Sequence, residues 1–153
     1  MKLLLITCDS GVVTEGKLYL LAAGWTRVLV PDKLFTAGVA AMVRFAEDDL
    51  AQGTQVSAKV ELVDAGGNVV TLSEPGRKEP KRIEVDATAD LSERIEDSNE
   101  YQSAFVLSFS IQLRPGDYRW QLRVRDSVAD WPFRVLTASE VTALRGAGVE
   151  ERP

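Results

Sequence analysis

The sequence predicts an all-β fold, an antiparallel β-sandwich of about nine strands. Three segments, residues 55–63, 101–113 and 117–125, alternate apolar and polar side chains with a period of two. This period places one row of side chains in a core and the other row in water. Residues 64–68 and 114–117 contain the Gly, Asn and Pro residues that tight turns require. Alternating strands joined by short turns are typical of an immunoglobulin-like or related sandwich.

The remaining elements follow in chain order. Six further strands are predicted, at residues 2–8, 17–30, 37–45, 69–72, 83–88 and 131–136. Residues 46–53 have the composition for one helical turn, and residues 73–82 and 89–100 are polar loops.

A chain of 153 residues has the size of one domain, which buries about two-thirds of its unfolded surface. We expect residues 1–137 to form the sandwich and residues 138–153 to form a short helix and a frayed tail. In that helix Ser139 is the expected N-cap, and Gly146 is the expected C-terminal stop.

The predicted strand at residues 17–30 is apolar on both faces. Tyr19, Leu21 and Trp25 share one face, and Leu18 and Leu20 lie on the other. Strands 2–8 and 37–45 are also apolar on both faces, so a sheet that contains all three would have a broad apolar outer face. Soluble monomers rarely expose an apolar patch larger than a few hundred Å².

This outer face predicts self-association. We expect a homodimer whose interface includes Tyr19, Leu21, Trp25 and Met42, with Trp25 near the centre as an aromatic anchor. In the alternative arrangement the sheet closes into a barrel, and the second apolar face lies in its interior.

The residue inventory argues against an enzyme. Histidine is absent and Cys8 is the single cysteine, which excludes Ser-His-Asp triads, Cys-His pairs and histidine metal sites. We therefore expect no catalytic residue, metal or cofactor. A lone cysteine forms no internal disulfide and favours a cytoplasmic location. The apolar run 3–6 is shorter than a secretory core segment, and no run reaches the roughly 18 residues of a membrane span.

Charge further limits the partners. The formal net charge is −5, which opposes binding to nucleic acid or to anionic membranes. Carboxylates cluster at residues 47–49 and 90–100, where we expect a solvated surface rather than a calcium site or a hydrolase pair. Seven basic residues form two groups, and we expect them to lie on a solvated face with ion pairs. They are Arg77, Lys78, Lys81 and Arg82 in one loop and Arg119, Arg123 and Arg125 along one strand.

The sequence thus favours a non-enzymatic module that acts by protein–protein contact. The alternative is a small-ligand or carbohydrate-binding module, in which Trp131, Arg119 and Arg123 form the rim of the site. Trp120 is predicted on the same strand face as Tyr118 and Leu122, so we expect it in the core and not at the rim.

Three stretches carry a family resemblance: "EGKLYLLAAGWT", the later "PGDYRWQLRV" and the following "PFRVL". With the opening strand they resemble a family of short, uncharacterised bacterial and phage proteins that have a "GGGWT"-type stretch and such a late hairpin. The resemblance implies a β-sandwich and carries over no catalytic residue.

The absence of histidine and the lone cysteine generate a first prediction. Thermal midpoints measured with and without a chelator, and with and without a reductant, should coincide. A fall of several degrees in chelator would instead show that the carboxylates of residues 90–100 bind calcium.

Overall fold

The computed structural model describes residues 1–15, 17–29, 34–52, 55–72, 80–90, 93–95 and 98–146. These residues form two mainly antiparallel sheets around one hydrophobic core, together with two short hairpins. The predicted all-β sandwich is confirmed.

The strands are β1 (Lys2–Cys8), β2 (Ser10–Thr14), β3 (Lys17–Leu21), β4 (Arg27–Val28), β5 (Leu34–Ala46), β6 (Gln55–Asp64), β7 (Thr71–Leu72), β8 (Lys81–Arg82), β9 (Glu84–Asp90), β10 (Glu93–Arg94), β11 (Glu100–Gln112), β12 (Gly116–Val124) and β13 (Ser127–Val135). A 3-10 helix spans Glu47–Gln52, and α1 spans Ala138–Gly146.

The two sheets have simple strand orders. The first sheet has the order β1-β5-β11-β10, and the second has the order β4-β13-β12-β6-β9. All of their ladders are antiparallel except the two-residue β4-β13 pair. Val39 and Val43 of the first sheet and Leu62 and Trp120 of the second are fully buried in the shared core.

The inward rows of β6 and β12 are confirmed by burial, but Glu61 and Gln121, which were expected in water, are also buried. Val60 and Leu62 of β6 and Leu122 of β12 have no exposed surface. The turn that follows β6 is also as predicted, because the Asp64 carboxylate accepts a 2.9 Å hydrogen bond from the Asn68 backbone N–H. Gly67 in this turn has φ +80°, a left-handed conformation that glycine adopts without strain.

The single strand expected at residues 17–30 was wrong. β3 ends at Leu21, the chain turns through left-handed conformations at Ala22 (φ 48°) and Gly24 (φ 84°), and β4 contains only two residues. The turn ends the alternation of side chains between two faces, so Trp25 does not share a strand face with Tyr19 and Leu21. Residue 30 lies outside the described residues.

Residues 10–14 form a strand that the sequence analysis missed. β2 pairs antiparallel with β3, and the resulting hairpin lies against the outer face of the first sheet. A Cβ atom on Gly11 would lie 3.2 Å from Cγ2 of Val106, which points outward from β11. Ala40, which pairs with Val106, also points outward yet has no exposed surface. The chain itself therefore covers part of the apolar outer face.

The helix occupies the expected residues, but its N-cap is Thr137 and not Ser139. The Glu140 carboxylate accepts a 2.7 Å hydrogen bond from the Thr137 backbone N–H, and the Thr137 hydroxyl accepts a 3.2 Å bond from the Glu140 N–H. This reciprocal pair is a capping box, and the bonds that the Thr137 backbone N–H and hydroxyl donate to the carboxylate lower the pKa of Glu140. The expected frayed tail at residues 147–153 lies outside the described residues.

Several other strand bounds differ from expectation. The strand expected at 131–136 is the end of a longer β13, and the polar loops at 73–82 and 89–100 include β8 and β10. Residues 73–79 of the first loop lie outside the described residues.

Removing the Phe109 ring tests the packing of the core. Its ring packs against the ring of Trp120 with centroids 4.8 Å apart, so Phe109→Ala should lower the free energy of unfolding by about 3 kcal/mol. Ser108 is the neighbouring, exposed residue, and Ser108→Ala should change stability by less than about 0.5 kcal/mol in the same denaturant titration. A loss below about 1 kcal/mol for Phe109→Ala would contradict this packing.

Candidate functional site

A cluster of exposed apolar side chains lies on the β2-β3 hairpin. Val12, Tyr19 and Leu21 are 55%, 56% and 66% exposed, and we call these three residues the hairpin patch. Val12 and Tyr19 are direct cross-strand partners, and Leu21 is the partner of Ser10. All three side chains therefore point away from the first sheet.

The hairpin has two apolar faces because its strands alternate two sets of apolar side chains. Val13, Leu18 and Leu20 are half-buried, whereas Val12 and Tyr19 are exposed. The Asp9 backbone N–H donates a 3.0 Å hydrogen bond to the Leu21 carbonyl, which holds the base of the hairpin together. A shallow depression of about 370 Å³ lies on the hairpin and is lined by residues of both strands.

Trp25 lies outside the hairpin patch, although it was a predicted interface residue. It is half-buried, and its ring packs edge-on against Phe133 at a centroid distance of 5.5 Å. The Trp25 carbonyl accepts hydrogen bonds from the Thr7 hydroxyl at 2.7 Å and from the Trp131 indole N–H at 3.1 Å. The segment around Trp25 thus connects β1 to β13 and closes one side of the sandwich.

Met42 lies on the outer face of the first sheet. It pairs with Leu4 of β1 and with Ala104 of β11, and it is half-buried, whereas Leu4 is 47% exposed. The four predicted interface residues therefore divide among three places. Tyr19 and Leu21 are on the hairpin, and Met42 is on the outer face of the first sheet. Trp25 lies between the two sheets.

The predicted ligand rim of Trp131, Arg119 and Arg123 is not assembled. Trp120 is buried in the core and pairs with Trp131, so Trp131 also faces inward. Arg119 and Arg123 have the opposite parity in β12 and lie on the outer face of the second sheet. The two kinds of side chain are therefore on opposite faces of one sheet.

The outer face of the second sheet carries a chain of ion pairs. Arg123 Nε lies 2.8 Å from a Glu61 carboxylate oxygen, and Lys59 Nζ lies 2.9 Å from a Glu84 carboxylate oxygen. Lys59 also lies 3.6 Å from Glu61, and Arg82 lies 3.4 Å from Glu84, so the four pairs form one network. The hydrogen bond from Lys59 lowers the pKa of Glu84. The expected solvated face with ion pairs is confirmed for Arg82 and Arg123.

The other basic residues do not join this network as a group. Arg125 lies beyond the end of β12, where its guanidinium sits 5.0 Å from the centroid of the Phe45 ring and donates to the Asp49 carbonyl. Arg77 and Lys78 lie outside the described residues.

Three further titratable groups, Cys8, Asp49 and Glu100, are buried or paired. Cys8 is fully buried, and burial raises the pKa of its thiol, which disfavours the nucleophilic thiolate. The Asp49 carboxylate binds the amino group of Met1 at 3.1 Å, and the Glu100 carboxylate binds Lys2 at 2.7 Å. Among the described residues no three acidic or cysteine side chains are grouped so that they could hold a metal ion.

No family model, curated protein or solved structure matches this chain. The resemblance to short bacterial and phage proteins and the immunoglobulin-like topology therefore stay predictions. In the part of the chain that the structure describes, every helix is too short or too polar to cross a bilayer.

Because two donors share the Trp25 carbonyl, the effects of removing them on stability should be coupled. Thr7→Val should cost about 1 kcal/mol, because the carbonyl keeps the Trp131 donor. Combining Thr7→Val with Trp131→Phe removes both donors, so the double variant should lose at least about 0.5 kcal/mol more than the sum of the two single variants. Strictly additive losses in denaturant unfolding would show that the two donors do not share this acceptor.

Proposed function

We propose that this protein is a non-enzymatic β-sandwich module that works by protein–protein contact and self-associates through the hairpin patch. The observation that supports the proposal is the exposure of Val12, Tyr19 and Leu21 on a hairpin whose other face is already packed. Tyrosine is among the residues that most often dominate interface energies.

The size of the patch sets the expected strength of the contact. Burying a large apolar side chain completely stabilises a complex by about 1.5 to 3 kcal/mol, and each patch residue has more than half of its surface to bury. Two copies together bury six such side chains and would thus gain roughly 5 to 11 kcal/mol, against an association cost of roughly 4 to 15 kcal/mol. A micromolar dimer needs a net gain of about 8 kcal/mol, so residues around the hairpin patch must also contribute to the contact, and we expect micromolar rather than nanomolar affinity.

A second copy of the chain suits this patch. None of the three patch residues carries a charge at neutral pH, so two copies of a chain with net charge −5 can approach here without direct repulsion. A two-fold contact would place each patch against itself, as in most homodimers. The proposal also assigns the protein to the cytoplasm, because its single cysteine needs no oxidising compartment.

Sedimentation velocity on the wild type and on Leu21→Asp tests the proposal. The wild type should form dimers at tens of micromolar, and Leu21→Asp should be a folded monomer, because a carboxylate would be buried in the contact. Leu34→Asp is the matched control, since Leu34 is 69% exposed but lies at the start of β5 and not on the hairpin. This control should dimerise like the wild type.

Two results would contradict self-association through the patch. One is a wild type that remains monomeric at several hundred micromolar. The other is a dimer that Leu21→Asp leaves intact or that Leu34→Asp dissociates.

A further inference from the structure

One edge of β11 has no strand beside it over most of its length. β5 pairs with β11 from Glu100 to Gln112, whereas on the other side β10 pairs only with Tyr101 and Gln102. Within the described part of the chain, residues 103–111 therefore have a backbone edge that joins no ladder, and we call it the β11 edge.

The sequence along the β11 edge contains none of the residues that usually protect an edge strand. Natural edges are blocked by charged side chains, prolines or bulges, which prevent pairing with other chains. Residues 101–113 include no Lys, Arg, Asp, Glu, Pro or Gly. The neighbouring edge strand of the second sheet, β9, differs because it carries Glu84, Asp86 and Asp90.

A cleft of about 210 Å³ lies between the two sheets next to the β11 edge. Its apolar lining includes Leu72, Ile83, Val85, Phe109 and Ile111. The Phe109 ring is held in place by its contact with Trp120. This volume is smaller than that of ordinary small-molecule pockets, which begin at about 300 Å³, and it suits one or two apolar side chains.

Lys81 gives the cleft a positive charge. Arg82 and Glu84 also line the cleft, but they pair with each other at 3.4 Å, and Glu84 pairs with Lys59 at 2.9 Å. Lys81 is exposed and makes no ion pair with any residue that the structure describes. A ligand that carries a carboxylate at this end of the cleft would therefore be complementary to it.

We propose that the β11 edge binds an extended segment of a partner protein by strand addition. Backbone N–H and C=O groups of alternate β11 residues pair with the segment, an apolar side chain of the segment enters the cleft, and a carboxylate on the same face contacts Lys81. A second copy of β11 fits less well, because two-fold pairing would bring two acidic β9 edges together. This site is separate from the hairpin patch and does not rest on the proposed self-association.

The test uses fluorescein-labelled peptides of eight residues, measured by anisotropy against the full chain. The probe TVTVTVTE has valines and one glutamate on the same strand face. TVTVTVTK reverses the charge, and TVTPTVTE places a proline where a backbone N–H is needed. The protein variants are Lys81→Glu and the matched control Lys17→Glu, which makes the same charge change at the far end of the hairpin.

We expect TVTVTVTE to bind the wild type and the proline peptide to bind at least tenfold more weakly. Lys81→Glu should weaken binding of TVTVTVTE about fivefold and strengthen binding of TVTVTVTK, as expected for one exposed charge pair. Lys17→Glu should leave both affinities unchanged.

Three outcomes would overturn the proposal. They are no binding of TVTVTVTE at millimolar concentration, equal binding of the proline peptide, and an equal effect of Lys81→Glu and Lys17→Glu. A dimer that Ser110→Lys dissociates and Leu21→Asp does not would show that a second copy occupies the β11 edge. Loss of dimerisation in Leu21→Asp with peptide binding intact would leave this proposal standing.

Discussion

The burial of β5 on both faces is the constraint on which the rest of the structure depends. Val39 and Val43 point into the core, while Ala40 points the other way, and none of the three has exposed surface. A strand that is apolar on both faces needs two covering layers. The second sheet provides one layer, and the β2-β3 hairpin provides part of the other. A small residue permits the close approach of the hairpin, since a Cβ on Gly11 would lie only 3.2 Å from Cγ2 of Val106 in the first sheet.

The position of the hairpin has consequences for both candidate surfaces. A two-stranded hairpin is marginally stable by itself, so it depends on its packing against the first sheet. The set of side chains that packs against the sheet leaves the opposite set, Val12, Tyr19 and Leu21, in water. The hairpin covers the face of β11 at Val106 and pairs with neither edge of that strand, so among the described residues the β11 edge joins no further ladder.

Local patterns predicted the parts of the fold that local forces determine. The parity of Trp120 was enough to place it in the core, and the composition of residues 138–146 was enough to place the helix. The turn at Ala22 was missed because alanine gives no signal for a left-handed conformation, and Trp25 was therefore assigned to the wrong surface. Tyr19 and Leu21 were recognised as exposed apolar residues, whereas Val12 was missed because five residues of β2 are too few to show a period. The separation of Trp131 from Arg119 depends on cross-strand register, which a single sequence does not reveal.

Both candidate surfaces depend on a hairpin that folds back over the first sheet and turns its second apolar face outward. The most direct measurement is the nuclear Overhauser effect between the α protons of Gly11 and the methyl protons of Val106. A strong cross-peak is expected, because a Cβ on Gly11 would lie 3.2 Å from Cγ2 of Val106. No cross-peak between these two residues, together with cross-peaks from Val12 or Tyr19 to β11, would show instead that the hairpin packs against the sheet by its other face.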